Sequence, residues 1–194
     1  MHSRRSFCAL ASGVTGIALV AACSSTLLPP ATLANVVDTV TLYALGGTPL
    51  GTPSAYSIAG RTPVRIELGT SFDFAFDFDA LGHPVLVPAG VYPGLLTAKD
   101  TTVQAGFQPS ATPFASVTLA PREGYEVVKP FAVDSDAVVL ARSHFQGCVY
   151  GFQGALYAKL HVLGIDPVAR TIRLEILADQ NCGYFGLAPG IPGQ

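Results

Sequence analysis

From residue 36 onward the chain contains short runs in which apolar and polar residues alternate, a pattern typical of half-buried β-strands. The clearest run, residues 71–80, reads SFDFAFDFDA and places phenylalanines at the even positions from Phe72 to Phe78. Successive strand residues face opposite sides of a sheet. The run therefore predicts a buried phenylalanine face, worth on the order of 6–12 kcal/mol before conformational entropy, and a solvated face that carries Asp73, Ala75, Asp77 and Asp79.

Similar runs follow at intervals of roughly 8–12 residues, as in sandwiches and barrels. They cover residues 36–45, 63–68, 84–88, 101–107, 116–119, 125–131, 137–145, 155–165 and 170–178. The last two runs are joined by turn-forming residues 166–169, which predict an antiparallel hairpin. No segment keeps a helical period. The sequence predicts one all-β domain over residues 36–194, an antiparallel β-sandwich or barrel-like fold with an irregular C-terminal tail.

The first 23 residues follow another pattern. Arg4 and Arg5 precede an uncharged, mostly apolar run over residues 7–22, the layout of a secretory signal. About 16 residues are too few for a transmembrane helix, which needs ~20. The run ends in Val20-Ala21-Ala22-Cys23, which resembles the lipobox of bacterial lipoproteins. That resemblance implies cleavage before Cys23 and lipid attachment to it, although an ordinary signal with a chance cysteine is the alternative.

The resemblance also predicts location. Residues 1–22 would be the removed signal peptide, and residues 23–35, with Pro29-Pro30, a lipidated tether that lifts the domain off the bilayer. Ser24 stands where an aspartate would retain a lipoprotein at the inner membrane, so the resemblance favours the outer membrane facing the periplasm. Residues 3–7 also resemble a twin-arginine export signal, which leaves the export route open.

Composition limits the remaining classes. Apolar residues make up 49% of the chain and charged residues 12%, which excludes a disordered protein. A net charge of −2 without basic clusters argues against nucleic-acid binding. Once Cys8 leaves with the signal and Cys23 is lipidated, Cys148 and Cys182 remain. In an oxidising compartment this pair predicts a disulfide, whereas a metal or redox pair is disfavoured because C-x-x-C spacing is absent.

The aspartates and histidines do not predict a catalytic or metal site. Asp77 and Asp79 would stand about 6.6–6.8 Å apart on a straight strand, whereas Ca²⁺ needs six to eight oxygens around one point. The histidines lack the spacing of metal ligands, and His161 is expected to share an exposed strand face with Lys159. Ser143 and His144 are neighbours, but their side chains should point to opposite faces. We therefore predict no catalytic residues, metal ligands or cofactor, with a hidden triad as the alternative.

The best candidate for a binding surface is the glycine-rich segment FQGCVYGFQGALY, residues 145–157. It carries Phe145, Tyr150, Phe152 and Tyr157 among small residues, as some carbohydrate or peptide grooves do. The alternative is that these aromatics complete the core. Phe-Gln-Gly occurs twice in this segment, at a period too short for a repeat architecture.

These observations support three functions, taken in order. The first is a lipid-anchored structural or protein-interaction module whose partners are the membrane, through Cys23, and an envelope protein. The second is a small-molecule or glycan-binding domain, which predicts an apolar pocket of at least ~300 Å³ with a few polar groups. The third is a hydrolase, which predicts His144 or His161 within hydrogen-bond distance of a carboxylate inside a cleft.

Overall fold

The computed structural model describes residues 28–68, 71–92, 104–148 and 153–193. The strands in these ranges are β1 (Val37–Tyr43), β2 (Ala55–Ser57), β3 (Thr62–Val64), β4 (Phe74–Phe78), β5 (Pro84–Pro88), β6 (Gly106–Ser110), β7 (Phe131–Ala132), β8 (Val138–Arg142), β9 (Gln146–Gly147), β10 (Gln153–Gly154), β11 (Tyr157–Asp166) and β12 (Thr171–Asp179). Short 3₁₀ turns cover Ile66–Leu68, Ala89–Val91 and Phe114–Ser116. The predicted all-β class is confirmed. A search of the described ranges for a helix with the length and apolarity to span a membrane found none.

The strands form two five-stranded antiparallel sheets. The first sheet has the order β1-β12-β11-β8-β6, the second β3-β2-β4-β5-β7, and β9 and β10 form a small separate hairpin. The predicted hairpin near the C-terminus is confirmed as β11–β12, which pairs from Tyr157↔Asp179 to Asp166↔Thr171 with a bulge between Val162 and Gly164. The two sheets pack against each other, as expected for a β-sandwich.

The main core lies between the sheets. Leu160, Leu174 and other apolar residues of the first sheet contact Phe74 and Phe76 of the second. Phe74 also lies edge-on against Phe107 of β6, with ring centroids 5.4 Å apart. The phenylalanine face of residues 71–80 therefore builds the sandwich interior, as its alternation predicts.

Three members of that run depart from the prediction. Ala75, expected on the solvated face, is fully buried. Phe72 lies in a separate cluster with Ala75 and Ala89 instead of with Phe74 and Phe76, because the chain bends at Asp73 before β4 begins. Asp73, expected in water, is fully buried. Its carboxylate is retained in the interior because three N–H groups donate to it.

The outer face of the first sheet is also covered. Val117, Ala120 and Leu187 come from segments outside the sheet and pack on Leu140 and Leu177. Runs 116–119 and 125–131, predicted as strands, mostly belong to this cover and make isolated bridges and the two-residue strand β7. Their alternation reflects burial on one side, and of these residues only Phe131, in β7, pairs within a sheet.

This cover buries Lys159, which was expected to be exposed. Its side chain is 1% accessible, and the ammonium donates to the carbonyls of Phe114 and Val117, both at 2.8 Å. The ammonium also lies 4.6 Å from the centroid of the Phe114 ring. Burial lowers the pKa of Lys159, and these contacts compensate the loss of water.

The expected tether and tail are part of the folded domain where the structure describes them. Asn35 exchanges two backbone hydrogen bonds with Gly190, and its side-chain amide donates to the carbonyls of Gly186 and Ala188. Leu187 is fully buried. Residues 28–35 therefore lie against the C-terminal segment and do not form a free spacer.

Candidate functional site

A groove of about 580 Å³ lies at the end of the first sheet where β12 finishes. Three segments form its walls: the β9–β10 hairpin, residues 180–184 after β12, and residues 28–33 before β1. These segments are far apart in the sequence, so the groove exists only in the folded chain.

The disulfide fixes two of the walls. Cys148 follows β9 and Cys182 follows β12, and the predicted bond between them is confirmed, with Cα atoms 5.9 Å apart. Closing a loop of 34 residues stabilises the fold by about 4 kcal/mol in the chain-entropy view. The bond holds the hairpin over the end of β12.

The third wall is held mainly by Asn181. Its side-chain oxygen accepts the N–H groups of Thr32 and Leu33, both at 3.0 Å, and its amide donates to the Leu33 carbonyl at 2.8 Å. Asn181 is oriented by Asp179, whose Oδ1 accepts both Asn181 nitrogens at 2.8 Å. Burial raises the pKa of Asp179. The Asn181 side chain thus gives the backbone of residues 32–33 the hydrogen bonds that a neighbouring strand would otherwise provide.

Tyr184 and Gly183 complete this wall. The Tyr184 hydroxyl donates to the Pro29 carbonyl at 2.9 Å. Gly183 has a φ of +83°, and a Cβ at this position would lie 2.6 Å from Leu28. Glycine is favoured here because this positive φ strains other residues, and a Cβ would also displace the Leu28 side chain.

The groove combines apolar surface with neutral amides. Leu28, Leu33 and Leu156 contribute carbon, whereas Gln146 and Gln153 contribute side-chain amides from the hairpin. None of the described residues that line the groove is charged. An ionic ligand would therefore lose its hydration without gaining a counter-ion, so the lining suits an uncharged amphipathic molecule.

The predicted aromatic surface is only partly related to this groove. Tyr157 is buried, with its ring 4.7 Å from that of Phe185 in the outer cluster, so it belongs to the core. Phe145 is 36% exposed, and Tyr150 and Phe152 lie outside the described residues. The segment contributes Gln146 and Gln153 to the groove. The sequence signal for them was the repeated Phe-Gln-Gly, whose Gln-Gly residues pair with each other as β9 and β10.

Three histidines contact carboxylates, and none of them lines the groove. His83 Nδ1 lies 3.2 Å from Asp79 Oδ2 in an exposed turn. His144 Nδ1 lies 2.6 Å from Asp73 Oδ1. His161 lies between Asp136, at 2.8 Å from Nε2, and Glu175, at 3.3 Å from Nδ1. The hydrogen bond that His144 donates to Asp73 raises the pKa of His144, and the one that His161 donates to Asp136 raises the pKa of His161, in each case against desolvation.

The other two aspartates of the 71–80 run, Asp77 and Asp79, bind backbone N–H groups of nearby turns. Asp79 Oδ1 accepts the N–H groups of Leu81 and His83 at 2.9 and 2.8 Å, and these bonds lower its pKa. Asp77 accepts the Gly46 N–H at 3.2 Å and contacts Arg170. Within the described residues, three or more His, Cys, Asp or Glu side chains do not converge on a point that could hold a metal ion.

Comparison of the chain with protein-family models, with curated proteins and with solved structures found no match in any of the three. Function is therefore argued from the groove and from the side chains described above.

Proposed function

We propose that the protein is an exported lipoprotein, anchored through Cys23, whose groove binds a small uncharged amphipathic ligand. The observation that carries this proposal is the groove of about 580 Å³ with an uncharged lining of leucines and amides. Ligand pockets for small molecules typically span roughly 300–1,000 Å³ and combine apolar walls with a few polar groups.

The ligand chemistry follows from the lining. The leucines favour an alkyl chain or the apolar face of a ring, and the amides of Gln146 and Gln153 can both donate to and accept from hydroxyl groups. A neutral sugar that carries an apolar substituent has both features. A carboxylate, phosphate or ammonium group would be buried without a partner charge.

The tether supports a location at the membrane. The Pro29 carbonyl is bonded to Tyr184 beside the groove, and six residue steps separate Cys23 from Pro29. A fully extended chain spans at most about 3.3–3.6 Å per residue, or roughly 20 Å in total. A lipid on Cys23 therefore keeps this wall within about that distance of the bilayer, where amphipathic molecules collect.

The test uses three amphiphiles that share an octyl group and differ in the charge of the head group: octyl glucoside, octyl sulfate and octylammonium. Each is used below its critical micelle concentration. Thermal unfolding of the full chain is followed by circular dichroism. We expect octyl glucoside alone to raise Tm, because a ligand at ten times its Kd stabilises the native state by about 1.4 kcal/mol. Equal shifts with all three probes, or none with octyl glucoside, would contradict the proposal.

Two glycine variants show whether binding occurs in the groove. A Cβ added at Gly147, which lines the groove, meets no atom within 4 Å, and the same holds at Gly164 in the β11 bulge. Gly147→Phe should therefore fill the groove and abolish the shift, whereas Gly164→Phe should retain it. If both variants keep the Tm increase, octyl glucoside binds outside the groove.

A second candidate function is a protein-interaction module, and it is favoured by the opposite end of the sandwich. Leu50, Leu81 and Val168 are 94%, 81% and 93% exposed. Arg170, beside the Val168 turn, bonds the Gly46 carbonyl of the Leu50 loop at 2.6 Å and contacts Asp77 of β4, the strand that precedes Leu81. If an envelope protein binds through this end, the Leu81→Ser and Val168→Ser variants should lose that binding. The Leu119→Ser variant, changed at an exposed site on another segment, should retain it.

A further inference from the structure

Ser71, Asp73 and His144 lie together where the two sheets meet, outside the groove. Ser71 and Asp73 precede and enter β4 of the second sheet, and His144 follows β8 of the first. Ser71 Oγ lies 3.4 Å from His144 Nε2, and Asp73 Oδ1 lies 2.6 Å from His144 Nδ1. The contact brings together residues separated by more than 70 positions.

The aspartate is held rigidly. Its Oδ1 also accepts the backbone N–H of His144 at 3.0 Å, and its Oδ2 accepts the N–H of Ile58 at 2.7 Å. The Asp73 side chain is 1% exposed, that of His144 is 25% exposed, and Ser71 is exposed. The arrangement thus runs from a buried carboxylate, through a half-buried imidazole, to a hydroxyl in contact with solvent.

The order of atoms sets the histidine tautomer. A carboxylate at Nδ1 holds the ring proton on that nitrogen, which leaves the lone pair of Nε2 directed to Ser71. The same carboxylate stabilises the imidazolium that forms when Nε2 accepts a proton. This is the role that a histidine has when it activates a serine, and it requires both contacts at once.

We infer that Ser71, His144 and Asp73 form a nucleophilic centre that cleaves small carboxylic esters. His144 Nε2 accepts the hydroxyl proton while Ser71 Oγ bonds to the carbonyl carbon. The bond from that carbon to the alcohol oxygen then breaks, and the alcohol leaves with the proton from His144. Water, deprotonated by the same Nε2, then bonds to the acyl carbon. The bond from that carbon to Ser71 Oγ breaks, Oγ takes the proton back from His144, and the carboxylic acid leaves. Asp73 is the positioning residue, and esters are the substrate class because an alkoxide is a much less basic leaving group than the amide anion that an unprotonated amide would release.

The inference does not depend on ligand binding in the groove, and covalent labelling tests it directly. The full chain is incubated with an alkyl fluorophosphonate, whose phosphorus bonds to an activated serine oxygen as fluoride leaves. Intact mass and peptide mapping should show one adduct, at Ser71. Ser71→Ala should remain unlabelled, and Ser116→Ala, which removes another exposed serine, should label like the natural chain. Absence of an adduct at Ser71 would overturn the inference.

Turnover of p-nitrophenyl acetate gives a second readout. Ser71→Ala and His144→Asn should each lower the catalysed rate by at least about 100-fold, the usual minimum for general-base catalysis. The double variant should lose no more than either single variant, because the two residues act as a unit. Ser71→Ala changes an exposed side chain and should keep the Tm of the natural chain. If this variant hydrolyses the ester at the natural rate, the activity comes from elsewhere and Ser71 is not a nucleophile.

Discussion

Asp73 gives the sharpest test of the fold, because one buried carboxylate joins the two sheets. Asp73→Ala removes the acceptor for three donors: the N–H of Ile58 at 2.7 Å, the N–H of His144 at 3.0 Å and the His144 ring nitrogen at 2.6 Å. Hydrogen bonds to charged groups contribute roughly 1.5–3 kcal/mol each, but such losses do not add fully within one network. Breaking a buried ionic network costs about 3–5 kcal/mol, which is the loss expected here.

Urea unfolding at neutral pH measures this loss. The midpoint concentration should fall while the slope stays constant, as expected when stability changes and the exposed area does not. Asp79→Ala is the matched control: Asp79 also accepts two backbone N–H groups, but in an exposed turn. It should lower the urea midpoint much less than Asp73→Ala does, because water can replace the lost acceptor in an exposed turn. A loss below about 1 kcal/mol for Asp73→Ala would refute the reasoning, because the buried donors would then have found other partners.

The same pair predicts a pH dependence with a definite sign. The hydrogen bond that His144 donates to Asp73 raises the pKa of His144 in the folded state. A raised folded pKa stabilises the protein fully below the unfolded value, about 6.5, and this contribution is lost as pH rises through the folded value. The stability difference between the natural chain and Asp73→Ala should therefore be larger at about pH 6 than at about pH 9.

Three further changes test other parts of the molecule. Replacing Cys148 and Cys182 by serine should lower the free energy of unfolding by about 4 kcal/mol, measured against the oxidised natural chain, and equal urea midpoints would contradict this. Lys159→Ala should cost about 2–4 kcal/mol because two carbonyls lose their donor and buried methylenes are removed, whereas exposed Lys129→Ala should stay within about 0.5 kcal/mol. Radiolabelled palmitate should enter the natural chain but not Cys23→Ser, and Cys8→Ser should label normally.

Local pattern predicted those strands whose two faces differ in environment. Residues 84–88 coincide with β5, and residues 155–165 and 170–178 lie within a residue or two of β11 and β12. Between residues 116 and 131 the same alternation predicted strands that the fold uses mainly as a cover. A period of two shows which side of a segment is apolar, but a segment that lies on a sheet face and one that pairs at a sheet edge can share that pattern. Only the position of the neighbouring backbone separates them.

The chain by itself determined the all-β class, the C-terminal hairpin and the disulfide, because alternation, turn chemistry and an even pair of cysteines are properties of local sequence. The tertiary structure alone decided that Asp73 and Lys159 are buried, that residues 28–33 complete a groove with residues 180–184, and that Ser71 meets His144. A polar side chain leaves water when distant segments bring it donors or acceptors. That compensation depends on three-dimensional packing, and no pattern of neighbouring residues contains it.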